Sequence, residues 1–93
     1  MIKHIYLFKL KENVSRDEVA QKLLTLKDHV PEILELEVGS DFKGASNSYD
    51  LCEYITFKTM EDYEAFSKNE YHDGIRKYMA QKQEIGIKID YEV

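Results

Sequence analysis

The tract Ser67–Met79, SKNEYHDGIRKYM, sets His72 beside a tyrosine and just ahead of Asp73-Gly74. The imidazole pKa lies near neutrality, so a histidine can act as general acid, general base or ligand. Asn69, three residues earlier, is a helix N-cap type and places His72 in a first helical turn. The positive end of the helix dipole disfavours imidazolium there and keeps the ring neutral, the form that a base or ligand needs. On a helical wheel His72 lies at the edge of the Tyr71, Ile75 and Met79 face, so it can look inward. The competing reading is a half-buried ring bonded to a local backbone group.

Three further polar residues interrupt apolar faces. His4 shares a strand face with Tyr6 and Phe8, where a histidine is either a satisfied core group or the polar end of a cavity. Glu53 breaks the face formed by Leu51 and Ile55, and Lys88 lies on the even face of the last strand. If both flank the first strand, a carboxylate and an ammonium approach His4 and Tyr6. An unpaired buried carboxylate has its pKa raised, so pairing or proton sharing is expected. The competing reading puts Glu53 near the sheet's edge, reaching water. His29 closes the first helix, where a cation suits the dipole, and receives no functional role.

The elements that position these groups follow from periodicity. Ile2 to Lys11 alternates as a strand, with apolar residues on both faces. Ser15 and Glu18 form a capping box, and Val19, Leu23, Leu26 and Val30 recur at helical spacing, with Leu24 at the edge. Pro31 stops that helix at about His29 or Val30. Ile33 to Phe42 reads as a second strand with Leu34, Leu36 and Val38 on one side, and Tyr49 to Lys58 as a third. Thr59 and Asp62 begin a helix with Met60, Tyr63 and Phe66 inward. Asn69 caps a further helical segment with Tyr71, Ile75 and Tyr78 inward, and EIGIKIDYEV closes the chain as a strand. The order is βαββαβ, an α+β ferredoxin-like split arrangement with helices on one face of an antiparallel four-stranded sheet. Residues 1–93 form a single domain.

Composition excludes several classes. A net charge of −5 with dispersed basic residues argues against nucleic acid. No apolar run reads as a membrane span or signal peptide, and a cytoplasmic location is expected. The lone Cys52 forms no internal disulfide, and no zinc spacing, phosphate loop or nucleophile elbow occurs. Helices cover one sheet face only, which leaves Ile5, Leu7, Ile87, Ile89 and Tyr91 to be covered by something else. A second copy of the chain is the economical solution.

The segments MIKHIYLFKLK, VPEILELEVGSDF, SYDLCEYITFKTMEDYEAFSKNEYH and IDYEV together resemble the stress-responsive dimeric α/β-barrel (Dabb) family, nearly end to end. The resemblance implies a homodimer whose two sheets close into a barrel. It also implies a small apolar cavity between sheet and helices, lined by Tyr6, Phe8, Leu23, Phe66, Ile75 and Lys88. Most members have no established reaction; some plant members are stress-induced, and one plant group cyclises linear polyketides. In those cyclases a histidine matching His72 acts as acid/base, assisted by a tyrosine, and another histidine matches His4. Here the tyrosine position is Phe66, and the family's His-Pro-Glu-His is replaced by Asn69-Glu70-Tyr71-His72. Any reaction therefore differs from plant polyketide cyclisation. Some members hold a cation with backbone carbonyls after the first helix, and the matching positions are Lys27, Val30 and Ile33, which suit sodium or magnesium. No organic cofactor is expected.

The expectation is thus a Dabb-family homodimer, stress-responsive in character, with its specific activity unassigned. The alternatives are a cofactor-free lyase, cyclase or isomerase using His72 with His4 or Glu53 on a small aromatic or polyketide-like molecule, a binding protein without turnover, and a cofactor-free monooxygenase.

Overall fold

The computed structural model describes residues 1–93 as a four-stranded antiparallel sheet with its helices on one face. The elements are β1 (Ile2–Leu10), α1 (Arg16–Leu24), α2 (Leu26–His29), β2 (Glu35–Ser40), β3 (Leu51–Phe57), α3 (Met60–Lys68), α4 (Glu70–Lys82) and β4 (Gln83–Glu92). The sheet order is β2-β3-β1-β4. This is the ferredoxin-like arrangement read from the sequence, with each helical region resolved into two segments.

The first helix begins where Ser15 Oγ accepts the Glu18 amide at 3.2 Å; the reciprocal half of the capping box does not form. It breaks at Thr25, whose hydroxyl donates back to the Lys22 carbonyl at 2.6 Å and competes with the helical ladder. Val30 then leaves helical geometry (φ −125°, ψ 93°), as the residue before Pro31 must. Val19, Leu23, Leu26 and Val30 are fully buried along one stripe, whereas Leu24 is exposed at its edge. Thr59 caps α3 through the Asp62 amide at 3.1 Å. Phe66 is buried and Tyr63 half-buried against Phe57. Met60, expected inward, is exposed at the first helical position, before the inward face begins.

The strands β1, β2 and β3 are shorter than the pattern suggested, whereas β4 keeps its expected length and starts one residue earlier. Leu34 precedes β2 in the turn after Pro31 and is exposed, and Phe42 lies past its end, fully exposed. Leu36 and Val38 pack against the core as expected. Before β3, the Asp50 carboxylate accepts the Leu10 amide at 2.7 Å and the Arg16 guanidinium at 2.8 Å.

The turn after α2 is built around a lysine. Lys27 Nζ donates to the carbonyls of Ile33 and Leu34, each at 2.9 Å, and the Val30 carbonyl accepts the Ile33 amide at 3.2 Å. A sodium or magnesium ion on the carbonyls of Lys27, Val30 and Ile33 does not fit this arrangement without displacing the ammonium, since two cations would share the Ile33 carbonyl.

The register fixes both sheet faces. Toward the helices, His4 lies opposite Ile55 and Asp90, Tyr6 opposite Glu53 and Lys88, and Phe8 opposite Leu51 and Gly86. On the reverse face Ile5 lies between Tyr54 and Ile89, and Leu7 between Cys52 and Ile87. That face is open: Ile87, Ile89 and Tyr91 are exposed, while Ile5 and Leu7 are half-buried. No helix is long and apolar enough to cross a membrane.

Candidate functional site

Between the sheet and the helices lies a cavity of about 320 Å³, near the lower end for small-molecule sites. Strands β1, β3 and β4 supply His4, Tyr6, Phe8, Glu53 and Lys88; the helices supply Leu23, Phe66, His72 and Ile75. The side chains expected to carry chemistry and those expected to line a cavity thus converge on one chamber.

His4 is 5% exposed and held between two carboxylates. Its Nδ1 bonds Asp90 Oδ1, and its Nε2 lies 3.5 Å from Glu53 Oε1. Burial alone would lower the His4 pKa, but the two carboxylates outweigh it and the net shift is upward. Asp90 is drawn upward by burial, yet Lys88 and His4 together hold it below the usual carboxylate value. Lys88 Nζ bonds Asp90 Oδ2 at 2.8 Å, and that bond raises the ammonium pKa. A bonded chain therefore runs from half-exposed Lys88 through Asp90 to the buried His4 ring.

His72 has the opposite electrostatics. Asn69 Oδ1 accepts its amide at 3.0 Å, the expected cap. Its ring stacks on Phe66, with centroids 3.8 Å apart, and Nδ1 lies 2.9 Å from the Phe66 carbonyl. A carbonyl only accepts, so Nδ1 carries the proton and Nε2 keeps the lone pair. The local backbone bond and the cavity position thus coexist and together fix the tautomer. The pKa is pushed down to about 4, chiefly by burial; the Phe66 bond opposes this, and the Arg76 and His4 cations add to it. The ring is neutral, as the sequence implied, but burial rather than the helix dipole leads. Phe66 stands between the two imidazoles, edge-on to His4 at 5.5 Å.

Glu53 is 4% exposed in an interior strand, which overturns the wet-edge reading. Sequence reasoning missed Asp90, the strongest partner of His4. It also missed Tyr63, Arg76 and Gln83 in the lining. Asp90 shares a strand face with Lys88, and only pairing β4 against β1 brings it opposite His4. His29 stacks on Tyr71 at 3.8 Å, away from the cavity lining.

Residues 2–93 match the family model of the stress-responsive A/B barrel domain, Dabb. The chain belongs to the Dabb family. Among curated proteins, none matches it in sequence. Solved structures share the Dabb fold. A dimeric ferredoxin-like protein of unknown function from Bacteroides fragilis is 24% identical, with TM-score 0.80 over 99% of this chain and 95% of that one. A dimeric ferredoxin-like protein from Thermobifida fusca is 21% identical, with TM-score 0.81 over 99% and 90%. The hydroxynitrile lyase of Passiflora edulis is 18% identical, with TM-score 0.87 over 99% and 92%.

Two of the three histidines of this Dabb chain, His4 and His72, are expected to give its stability a pH optimum. The folded pKa of His72 lies below the ordinary 6.5, so its contribution is present above pH 6.5 and is lost as pH falls toward about 4. The His4 contribution is complete below pH 6.5 and is lost as pH rises through its raised folded value. Urea midpoints should peak between these limits, and His72→Leu should flatten the acid limb between pH 6.5 and about 4. An acid limb unchanged in that variant would contradict the assignment.

Gly86 gives Tyr6 its place. A Cβ there would meet Tyr6 Cε1 at 2.7 Å, Tyr6 Oη at 2.8 Å and Gln83 Nε2 at 2.8 Å. Gly86→Ala is expected to press the Tyr6 ring toward the cavity and to cost roughly 1–3 kcal/mol of stability, read by thermal denaturation. An unchanged melting temperature would mean the ring yields freely.

Proposed function

We propose that this Dabb chain forms a homodimer and performs cofactor-free acid–base chemistry, of the lyase or isomerase class, on a small apolar molecule held between sheet and helices. The observation that carries the reading is one cavity in which two imidazoles have pKa values pushed apart, His72 down to about 4, chiefly by burial, and His4 upward, where its two carboxylates outweigh burial. Such a divergence is what an acid–base pair requires.

His72 Nε2 is the base, since its lone pair is free and Nδ1 is committed to the Phe66 carbonyl. The His4 ring, held by Asp90 and flanked by Glu53, places a second imidazole near the charge that develops on the substrate. The Tyr6 hydroxyl is the second proton carrier, because Phe66 offers none. The Passiflora edulis relative is a lyase on the same fold, which agrees with this reaction class.

Dimerisation is supported by the open apolar sheet face and by neighbours described as dimeric. Sedimentation velocity at micromolar concentration should give twice the 11.0 kDa chain mass; a clean monomer would contradict it. The activity is tested with a panel of small aromatic hydroxynitriles and enolisable carbonyl compounds, followed by product analysis and an oxygen electrode. Oxygen-independent turnover that depends on His72 supports the reading. Oxygen uptake would place the chain among monooxygenases, and tight binding without turnover would make it a binding protein.

A further inference from the structure

Glu53 is an underused polar group of the cavity, and the most deeply buried carboxylate there. Its side chain is 5% exposed and lines the chamber, yet its only polar partner is His4 Nε2 at 3.5 Å. That separation lies beyond the usual range of N–H···O hydrogen bonds, about 2.7–3.2 Å. A carboxylate has roughly four acceptor sites, and since no sealed side-chain oxygen lacks a partner, the unbonded acceptor sites of Glu53 open onto the cavity. The other charged groups at the chamber are better served. His4 is bonded by Asp90, Lys88 bonds Asp90 at 2.8 Å, and Arg76 donates to the Ser67 carbonyl at 2.7 Å. Tyr6 lies directly across the strand pair from Glu53 but forms no hydrogen bond to it. The vacant acceptor therefore faces a space walled by the rings of Tyr6, Phe8, Tyr63 and Phe66.

We infer that Glu53 is a recognition group for a hydroxyl on the ligand, and that the cavity takes small aromatic or aliphatic molecules bearing an O–H donor. This names the substrate class of the acid–base site proposed above and rests on that reading for its catalytic meaning. The hydroxyl donates to Glu53 on the sheet side, and the apolar body lies among the aromatic walls beneath α3 and α4. A buried site built to accept a donor discriminates strongly against isosteres that lack one. Glu53 thus selects for the hydroxyl, while hydrophobic burial supplies sequence-independent affinity for the rest of the molecule.

The test compares two near-isosteric probes, p-cresol and p-fluorotoluene, by NMR titration of the full-length protein. Wild type is expected to prefer p-cresol by about ten-fold or more, the effect of a hydrogen bond to a charged group. Glu53→Gln keeps shape and an acceptor but loses the charge, and should shrink the preference while leaving p-fluorotoluene binding unchanged. Glu53→Leu should abolish the preference; if that variant does not fold, Glu53→Gln decides alone. Equal affinity for the two probes in wild type, no binding of either, or a preference untouched in Glu53→Gln would overturn the inference. His72→Ala separates it from the catalytic reading. Retained p-cresol preference with turnover intact would sink the base and keep the hydroxyl site, whereas lost turnover without any preference would do the reverse.

Discussion

His72→Ala is expected to reduce turnover of the best panel substrate by roughly 10²–10⁴-fold, the usual contribution of a positioned general base. The same change should cost about 1 kcal/mol of stability, because the ring bonds the Phe66 carbonyl and stacks on the Phe66 ring. A stability loss alone therefore does not distinguish catalyst from structural bonder; the pH dependence of the rate does. With the His72 pKa at about 4, wild-type kcat/KM should hold its level from neutrality down to mildly acidic pH and then fall as Nε2 is protonated. The residual rate of the variant should lack that acid limb. A variant within a few-fold of wild type, or one keeping the acid limb, would remove His72 from the chemistry.

Ile87→Asp is expected to split the proposed dimer into monomers or to prevent folding. Ile87 pairs with Leu7 at the centre of the open face, between Ile85 and Ile89 on its own strand. Fully burying one such side chain stabilises by roughly 1.5–3 kcal/mol, and the set is large for an 11.0 kDa chain. A buried unpaired carboxylate adds several kcal/mol against association. Sedimentation of the variant should show the chain mass, while Lys77→Asp on the exposed side of α4 should leave the assembly unchanged. An Ile87→Asp protein that sediments like wild type would mean that this face is not the interface.

The legible parts of this molecule are those where a short period decides burial. The Val19, Leu23, Leu26 and Val30 stripe is helical spacing and is buried as such. His4, Tyr6 and Phe8 share a face because strand side chains alternate, and the order β3-β1-β4 then brings Glu53 and Lys88 alongside. The less legible parts depend on register and depth. Asp90 reads as a solvated residue between two apolar ones, and only its pairing opposite His4 makes it a partner. Glu53 could equally have faced water, because a sequence does not say how thick the helical cover is. Leu34 and Phe42 look like strand residues by type, yet both fall outside β2, although the Leu34 amide still bonds the Thr56 carbonyl at 2.9 Å. The Lys27 ammonium on the Ile33 and Leu34 carbonyls is tertiary geometry without periodicity. The Asn69 cap places His72, but its pKa is lowered chiefly by burial, with Arg76 and His4 adding to it, and burial depth is set by tertiary packing.

The two cavity imidazoles have pKa values displaced in opposite directions, His72 downward and His4 upward, and an imidazole ¹⁵N NMR titration measures both at once. His72 is expected to stay neutral, with Nδ1 protonated, until pH falls to about 4, while His4 still shows imidazolium shifts above its ordinary value of 6.5. A His72 that titrates at or above 6.5, or a His4 that is neutral there, would contradict the acid–base reading.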